Sequence, residues 1–322
     1  MLVDGTWQTD WHPVQAKDKD GRFLRQTSEY RDWITPDGQP GPQGQRAFKA
    51  ETGRYHLYVA YICPWASRVL MARSLKGLQK VITVTVVDPR LSEQGWRFGD
   101  FPGATGLDPE FGAQYLHEVY SHSDPDASGR ATVPVLWDRV RKRIVNNESA
   151  DILRILDSGF DAFGRADVSL RPAPLLDEIE ALNTALYEPF NNGVYKAGFA
   201  SSQRAYEEAV AEVFATLTML EDRLSDGRAF LLGETLCESD LRAFVTLIRF
   251  DAAYVGLFKC NLSRVADHPA LMGYMKRILA LPGLRETVNI AHIKAGYYSI
   301  KALNPNGIIP AGPDMIGLAA GV

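Results

Sequence analysis

The sequence predicts a two-domain protein in which an α/β domain is followed by an all-helical domain. Two patterns indicate this fold class: a strand–helix–strand unit within residues 55–87, and apolar residues at helical spacing through most of the second half. The length of 322 residues agrees with two domains, because a domain usually contains about 100–200 residues. We expect the following segments: an irregular arm at 1–52, the α/β domain at 53–165, the helical domain at 170–300, and an irregular tail at 301–322.

The composition is that of a folded protein without a large excess of charge. Hydrophobic residues make up 46% of the chain and charged residues 23%, which argues against disorder. The net charge of -4 gives no reason to expect a nucleic acid or an anionic membrane as a partner. No apolar run approaches the length of about 18 residues that a membrane span needs. Residues 1–15 lack the basic and apolar regions of a secretory signal.

The three cysteines, Cys63, Cys237 and Cys260, are too few and too scattered for a disulfide framework or a structural zinc site. We therefore expect no metal and a reducing compartment, most simply the cytoplasm. Cys237 and Cys260 are predicted to be core residues of the helical domain, because a free cysteine is usually buried and inert.

The arm contains three tryptophans among many Gly, Pro, Asp and Gln residues: Trp7, Trp11 and Trp33. Residues 35–45 cannot form a helix or a central strand, because Pro and Gly interrupt both. Exposure of three tryptophan side chains to water would be unfavourable. We therefore expect the arm to lie on the folded body with these rings as its anchors.

The α/β domain begins with three regular segments. Residues 55–62 are aromatic and β-branched, which favours a strand. A helical segment follows Pro64 and ends at Gly77. Residues 81–87 form an apolar, β-branched run that is typical of a strand buried on both faces. This order predicts a βαβ unit with a right-handed crossover.

A long irregular segment at 88–130, rich in Gly, Asp and Pro, comes next. A loop of this length inside a domain usually has a function. Residues 133–138 and 143–147 then predict a hairpin, and a helix is expected to begin near Ser149.

Amphipathic stripes predict the helices of the second half. Apolar residues recur at intervals of three and four over 175–186 and over 206–224. A third helix at 239–258 is apolar on most faces, so we expect it to be central. A fourth helix is predicted at about 269–281.

Cys63 is the strongest candidate for chemistry. It stands between a predicted strand and a predicted helix, and Pro64 follows it at the position where helices favour proline. The unpaired N–H groups and the dipole of a helix start stabilise an anion. We therefore expect a thiolate at neutral pH, with a pKa of about 3.5–7.5 as in other cysteines placed in this way. A buried structural cysteine is the alternative.

The residue three positions after Cys63 is Ala66, so the chain lacks the C-x-x-C pair that could close its own disulfide. An external thiol must resolve any disulfide formed on Cys63. The predicted chemistry is that of one cysteine that takes or gives a small thiol.

The Val133-Pro134 bond is a candidate cis peptide, because cis bonds are almost confined to proline. A cis bond would turn the Val133 backbone outward, where an extended peptide could pair with it. A trans proline that opens an edge strand is the alternative.

Glu148 and Ser149 stand where the next helix is predicted to begin. Ser149 is a good N-cap, and a helix start can also bind a carboxylate. Glu148 can bind an ammonium group. A ligand with both groups close together has an α-amino acid end. Together with a thiol at Cys63 and an extended backbone at Val133, this outlines glutathione.

The sequence resembles the glutathione transferases and, more narrowly, the glutathionyl-hydroquinone reductases, also called Xi-class glutathione transferases. The resemblance implies a thioredoxin-like N-terminal domain, an all-α C-terminal domain and a homodimer. It covers about residues 55–310, and the arm also fits the family. The stretches that carry it are YICPWASR, GWRF, TVPVLWD, NNESADI, NNGVYKAGF, TLIRFDAAY, FKCN, HIKAGYY and NPNGIIP.

The resemblance implies roles for individual residues. Cys63 would be the nucleophile. Glutathione would be held by five residues: Trp96, Arg130, the backbone of Val133, Glu148 and Ser149. Two catalytic tyrosines, Tyr195 and Tyr297, would face the substrate pocket, with Tyr298 close behind. Their phenols can donate to a quinol oxygen. Packing in amphipathic helices is the alternative role for the tyrosines.

The sequence departs from the family pattern at two positions. Gly296 and Leu257 stand where family members often carry histidine. Acid–base assistance from histidine is therefore not expected at these positions, whereas the cysteine chemistry is unaffected.

The expected activity is glutathione-dependent reduction of glutathionyl-hydroquinones through a mixed disulfide between Cys63 and glutathione. The expected partners are glutathione, as co-substrate, and aromatic quinol conjugates. One alternative is a broader monothiol transferase or dehydroascorbate-type reductase that uses the same cysteine. Another is a non-catalytic binding module with this fold. Conjugation of glutathione to electrophiles is less expected, because it needs a Ser or Tyr hydroxyl where Cys63 stands.

Overall fold

The computed structural model describes residues 1–9 and 17–313, and this part of the chain forms two compact units. One unit contains residues 1–9 and 27–168. The other contains residues 17–26 and 169–313. Trp11 lies outside the described residues, as does the end of the predicted tail from residue 314.

The arm contributes two small sheets. Strand β1 (Leu2–Val3) pairs with β2 (Thr6–Trp7) in antiparallel fashion. Strand β3 (Trp33–Thr35) pairs in parallel with β4 (Ala47–Lys49). Trp33 is buried and Trp7 is partly buried, as expected of anchors. The Pro- and Gly-rich stretch 36–46 connects β3 to β4 without forming a helix or strand.

A four-stranded mixed sheet is the centre of the first unit. Strands β5 (Tyr55–Val59) and β6 (Thr83–Val86) are parallel, and helix α1 (Pro64–Leu75) connects them, as the βαβ prediction requires. Helix α2 (Leu116–Ser123) precedes a hairpin of β7 (Val135–Asp138) and β8 (Arg143–Asn146), and α3 (Ser149–Ser158) follows. The strand order is β6-β5-β7-β8, with β5 and β7 antiparallel.

The expectation that residues 81–87 form a strand buried on both faces is wrong in part. Within this sheet β6 pairs only with β5, so it is an edge strand. Its first residue, Thr83, is exposed, and only its second half is buried. The fully buried strands are β5 and β7, because each lies between two other strands of the sheet.

The expectation of an irregular segment throughout 88–130 also needs correction, because α2 lies inside it. Leu116, Val119 and Tyr120 are buried on one side of this helix. Their spacing of three and one is helical. The helix was not predicted, because it is short and the segments on either side of it are rich in Gly, Asp and Pro.

The second unit is helical, as predicted. Its helices are α4 (Leu176–Leu186), α5 (Gly193–Phe199), α6 (Gln203–Leu224), α7 (Glu238–Arg249), α8 (Pro269–Ala280) and α9 (Ile290–Tyr298). Every residue of α7 is buried, which confirms its central place. The helix expected over 239–258 instead ends at Arg249, and a π-helical turn, Phe250–Tyr254, follows. Among the described residues, no helix has the length and apolar character to cross a membrane.

Candidate active site

Cys63 is the N-cap residue of α1, with extended backbone angles, and Pro64 takes the first helical position. Its side chain does not cap the helix. Cys63 is partly exposed, and its thiol donates to the carbonyl oxygen of Val133, with 3.5 Å between Sγ and O. The helix start places partial positive charge beside the sulfur, which favours its anionic, nucleophilic form.

Val133 lies next to Cys63, as the expected site requires. The Val133-Pro134 peptide is cis. The carbonyl of Val133 contacts the sulfur, although 70 residues separate Cys63 from Val133 in the chain. The two residues meet because β5, which precedes Cys63, pairs with β7, which follows Val133. Within the described part of the chain, no hydrogen bond occupies the Val133 N–H. This N–H is therefore available to an extended ligand.

Glu148, and not Ser149, is the N-cap of α3, which corrects the predicted cap. Its Oε1 accepts a hydrogen bond from the Ala150 N–H at 3.0 Å, and its Oε2 accepts one from Ser28 at 3.1 Å. Burial raises the pKa of Glu148, but the charge of Arg68 and these hydrogen bonds outweigh it and hold the pKa below the ordinary value. The carboxylate is therefore negatively charged at neutral pH and can bind an ammonium group.

Arg68 is a site residue that the sequence analysis missed. It is almost fully buried in α1, and its Nε and Nη2 donate to the Ser149 hydroxyl at 3.2 and 2.7 Å. Its Nη2 lies 3.6 Å from Oε1 of Glu148, and its guanidinium lies 5.0 Å from the centre of the Trp65 ring. Arg68 thus connects the cysteine helix to Glu148 and Ser149. A charged residue directly before the apolar run Val69–Met71 of this helix is the signal that could have identified it.

Trp96 lies in the loop between β6 and α2 and is partly exposed. Its carbonyl accepts a hydrogen bond from the Leu116 N–H at 2.9 Å. The next residue, Arg97, donates to the buried carboxylate of Asp88 at 2.9 Å, and Arg90 donates to the same carboxylate. The backbone at Trp96 and Arg97 is therefore attached both to the beginning of the loop, at Asp88, and to its end, at Leu116.

Arg130 is partly exposed and directly follows Gly129, which pairs with Leu2 as an isolated bridge. Two residues farther along the chain, the carbonyl of Thr132 accepts a hydrogen bond from the Tyr120 hydroxyl at 2.8 Å. That hydroxyl also accepts from the Asn147 side chain at 3.1 Å. Tyr120 was not predicted as a site residue, but it connects the segments that precede Val133 and Glu148.

Tyr195 and Tyr297 contact each other within the helical unit, with 2.7 Å between their hydroxyl oxygens. A third residue, Tyr254, was not predicted, and its hydroxyl lies 2.9 Å from that of Tyr297. Burial raises the pKa of both Tyr254 and Tyr297 well above the ordinary value. These phenols therefore keep their protons at neutral pH and can donate hydrogen bonds.

Arg25 adds a positive charge to this three-tyrosine cluster. Its guanidinium lies 4.8 Å from the centre of the Tyr195 ring, and its Nε donates to the Asn192 side chain at 2.5 Å. Tyr298 is also buried, and its hydroxyl lies against Gly256, where a Cβ would be 2.6 Å from the Tyr298 oxygen.

Two family models match the chain. The description "Glutathione S-transferase, N-terminal domain" matches residues 62–158, and "Glutathione S-transferase, C-terminal domain" matches residues 203–277. The first match contains Cys63, Val133 and Glu148.

Similar proteins cover nearly the whole chain. The chain is 49% identical to glutathionyl-hydroquinone reductase YqjG of Escherichia coli (strain K12), over 97% of this chain and 95% of that protein. It is 45% identical to glutathionyl-hydroquinone reductase PcpF of Sphingobium chlorophenolicum, over 97% of this chain and 96% of that protein.

Solved structures agree with these relatives. The glutathione-bound structure of Escherichia coli YqjG matches with a TM-score of 0.88 and 46% identity, over 97% of this chain and 95% of that chain. The glutathione-S-transferase Xi of Phanerochaete chrysosporium matches with a TM-score of 0.86 and 44% identity, over 92% of this chain and 94% of that chain. The α/β unit and the helical unit are those of the glutathione transferase fold, which confirms the predicted architecture. The chain belongs to the glutathionyl-hydroquinone reductases, the Xi-class glutathione transferases.

Proposed function

We propose that this protein is a glutathione-dependent enzyme that reduces glutathionyl-hydroquinones to hydroquinones and releases oxidised glutathione. The observation that carries the proposal is the position of Cys63. It is a lone cysteine at the start of α1, with Ala66 three residues later, and its sulfur lies 3.5 Å from the backbone of Val133. The names of the two relatives, both glutathionyl-hydroquinone reductases, describe the same activity in those proteins.

The reaction needs two attacks by a thiolate on sulfur, the first on a thioether and the second on a disulfide, and no metal or nucleotide. The Cys63 thiolate attacks the glutathionyl sulfur, the bond from that sulfur to the ring carbon breaks, and its electron pair remains on the ring. The ring carbon takes up a proton, which gives the free hydroquinone. Cys63 is then in a mixed disulfide with glutathione. The thiolate of a second glutathione attacks this disulfide, forms oxidised glutathione and restores the Cys63 thiolate.

The glutathione moiety is proposed to bind along the first unit. The N–H of Val133 pairs with the extended peptide, and the carboxylate of Glu148 binds its ammonium group. The start of α3 at Ser149 binds the adjacent carboxylate. Trp96 and Arg130 complete the proposed glutathione contacts.

Tyr195 and Tyr297 are proposed to donate hydrogen bonds to the quinol oxygens and to stabilise charge on the departing ring. Tyr298 is proposed to line the substrate pocket. The raised pKa of Tyr297 keeps its hydroxyl protonated, as a hydrogen-bond donor must be. We further propose a homodimer, on family resemblance, and a cytoplasmic location, which agrees with three cysteines outside any disulfide.

The decisive experiment compares Cys63→Ser with Cys260→Ala, which changes a buried cysteine outside the proposed site. We expect Cys63→Ser to lower turnover of a glutathionylated hydroquinone by at least about three orders of magnitude, because a hydroxyl cannot form the mixed disulfide. Intact-mass spectrometry after exposure to oxidised glutathione should show one adduct on the wild type and on Cys260→Ala, and none on Cys63→Ser.

Undiminished turnover by Cys63→Ser would exclude this mechanism. The broader monothiol activity is tested on the wild type with a small mixed-disulfide substrate. Faster turnover of that substrate than of the glutathionylated hydroquinone would favour the alternative.

A further inference from the structure

Residues 1–8, here called the N-terminal hairpin, contain β1 and β2 and are bound to two segments far away in the sequence. The first is 127–129. The N–H of Leu2 donates to the carbonyl of Gly129 at 2.9 Å, and the N–H of Gly129 donates back at 3.0 Å. The N–H of Gly5 donates to the carbonyl of Ala127 at 2.9 Å, and that of Asp4 to the Ser128 hydroxyl at 2.9 Å. Main-chain bonds thus attach one side of the hairpin to this segment.

The second segment is 93–95, which the side chain of Trp7 contacts. The indole N–H of Trp7 donates to the carbonyl of Glu93 at 3.1 Å. Gly95 has a φ of +74°, and a Cβ there would be 3.2 Å from the indole ring. The ring therefore lies directly against the backbone of this segment.

Trp7 is also the outer member of a stack of three rings. Its ring centre lies 4.7 Å from that of His117, and the two planes differ by 17°. The ring of His117 stacks in turn on Tyr115, with 5.5 Å between the centres. His117 also contacts the side chain of Gln94, with 3.0 Å between Nε2 and Oε1. The stack joins the loop at 93–95 to the beginning of α2.

Both segments lie directly before a proposed glutathione-binding residue. Gly95 precedes Trp96, and Gly129 precedes Arg130. A loop residue presents its side chain in a defined place only when the backbone beside it is fixed by bonds or packing. The N-terminal hairpin supplies such bonds beside Trp96 and beside Arg130 at the same time.

We propose that the N-terminal hairpin is a positioning element for glutathione, and that it preorganises Trp96 and Arg130 through Trp7 and through the pairing of Leu2 with Gly129. This proposal rests on the proposed function, which assigns Trp96 and Arg130 to glutathione. Trp7 is a positioning residue, because it acts through these two residues. Preorganisation raises affinity by lowering the entropy lost on binding, so its removal weakens binding more than it slows the chemical step.

The test measures binding of reduced glutathione by calorimetry to the wild type and to three variants. Trp7→Ala removes the ring stack and the bond to Glu93. Trp7→Phe keeps an aromatic ring and loses the bond. Val3→Ala changes a side chain in the same hairpin that is 41% exposed, so it serves as the matched control. Hydrogen exchange of residues 93–97 and 127–130 reports the backbone directly.

We expect Trp7→Ala to bind glutathione about tenfold more weakly, with KM for the glutathionylated hydroquinone raised by a similar factor and kcat changed less than about threefold. Exchange should rise in both segments. Trp7→Phe should recover part of the affinity, and Val3→Ala should match the wild type.

Wild-type affinity in Trp7→Ala overturns the proposal, whether exchange rises or not. If Trp7→Ala does not fold, the same comparison is made with Trp7→Phe, for which wild-type affinity despite faster exchange at 93–97 overturns it. Failure of the wild type itself to bind glutathione would instead contradict the proposed function, so the two failures are distinguishable.

Discussion

Arg68 shows at the scale of one residue how a buried charge is used beside the proposed glutathione site. A buried cation is costly unless it has partners, and Arg68 has the Ser149 hydroxyl, the Glu148 carboxylate and the Trp65 ring. The charge of Arg68 also lowers the pKa of Glu148. Arg68 therefore keeps Glu148 ionised in a place where burial alone would favour the neutral acid.

We expect Arg68→Met to raise the Kd for glutathione by about tenfold, because Glu148 then loses the cation that stabilises its negative charge. The pKa of Glu148 should rise, so glutathione binding should fail at a higher pH on the acid side than in the wild type. Calorimetry across the acidic range measures both effects.

Arg68→Lys is the conservative variant and should restore part of the affinity. Arg73→Met is the matched control on the same helix, because Arg73 donates to the carbonyls of Gln79 and Ile82 instead. If glutathione binding fails at the same acidic pH in Arg68→Met as in the wild type, the proposed role of Arg68 is contradicted.

At the scale of an element, α7 shows how a fully buried helix begins. Cys237 is its N-cap, and Asp240 completes a capping box. The carboxylate of Asp240 accepts hydrogen bonds from the N–H groups of Leu231 and Cys237, both at 2.8 Å, and from the Tyr274 hydroxyl at 3.0 Å. One side chain thus joins α7, α8 and the preceding loop. Cys237 is buried, as expected, but it also has this capping role.

We expect Asp240→Ala to lower the free energy of unfolding by about 3 kcal/mol or more, because it leaves several buried donors without an acceptor. Asp240→Asn keeps one acceptor oxygen and should cost less. Urea unfolding followed by circular dichroism measures both variants.

The matched control is Asp226→Ala, whose exposed carboxylate accepts mainly from Arg228. It should change the free energy of unfolding by no more than about 0.5 kcal/mol. If Asp240→Ala is as stable as this control, the capping box does not stabilise the helical unit.

At the scale of the whole molecule, buried histidines contribute to the dependence of stability on pH. His56 is a residue of β5, and its ring nitrogens contact the hydroxyls of Thr83 and Thr85 in β6 at 2.6 and 2.9 Å. Burial, helped by the charge of Arg139, lowers the pKa of His56 to about 3. Burial also lowers the pKa of His117 in the ring stack. Both are neutral in the folded protein at pH 7.

In the unfolded chain these histidines take up protons at about pH 6.5, the ordinary pKa of histidine. In the folded protein they take up protons only at lower pH. Stability that is present above pH 6.5 is therefore lost as the pH falls toward 3. We expect His56→Gln to reduce the slope by an amount that rises from about 0.7 kcal/mol per pH unit at pH 6.5 to about 1.4 kcal/mol per pH unit, the contribution of one proton, near pH 5. Urea unfolding at several pH values measures this slope.

His122→Gln is the control, because His122 is exposed. It should leave the wild-type slope in place. An equal slope in His56→Gln and the wild type would mean that the folded protein accepts a proton at His56 without cost.

The sequence by itself determined the family, the fold class and the features that depend on local order. Cys63-Pro64 at a helix start, the βαβ unit and the stripes of the long helices all depend on neighbours a few residues apart. Short helices such as α2, α5 and α9 were not predicted, because too few residues carry the helical spacing of apolar side chains.

Only the tertiary structure decided which side chains meet. Arg68 contacts Ser149 across 81 residues, Tyr254 contacts Tyr297 across 43, and Trp7 contacts Glu93 across 86. Each contact depends on how strands and helices pack, and periodicity carries no information about the partner on another element. The same reason explains why Glu148 replaced Ser149 as the helix cap: the packed Arg68 side chain binds the serine hydroxyl, so the carboxylate beside it caps the helix.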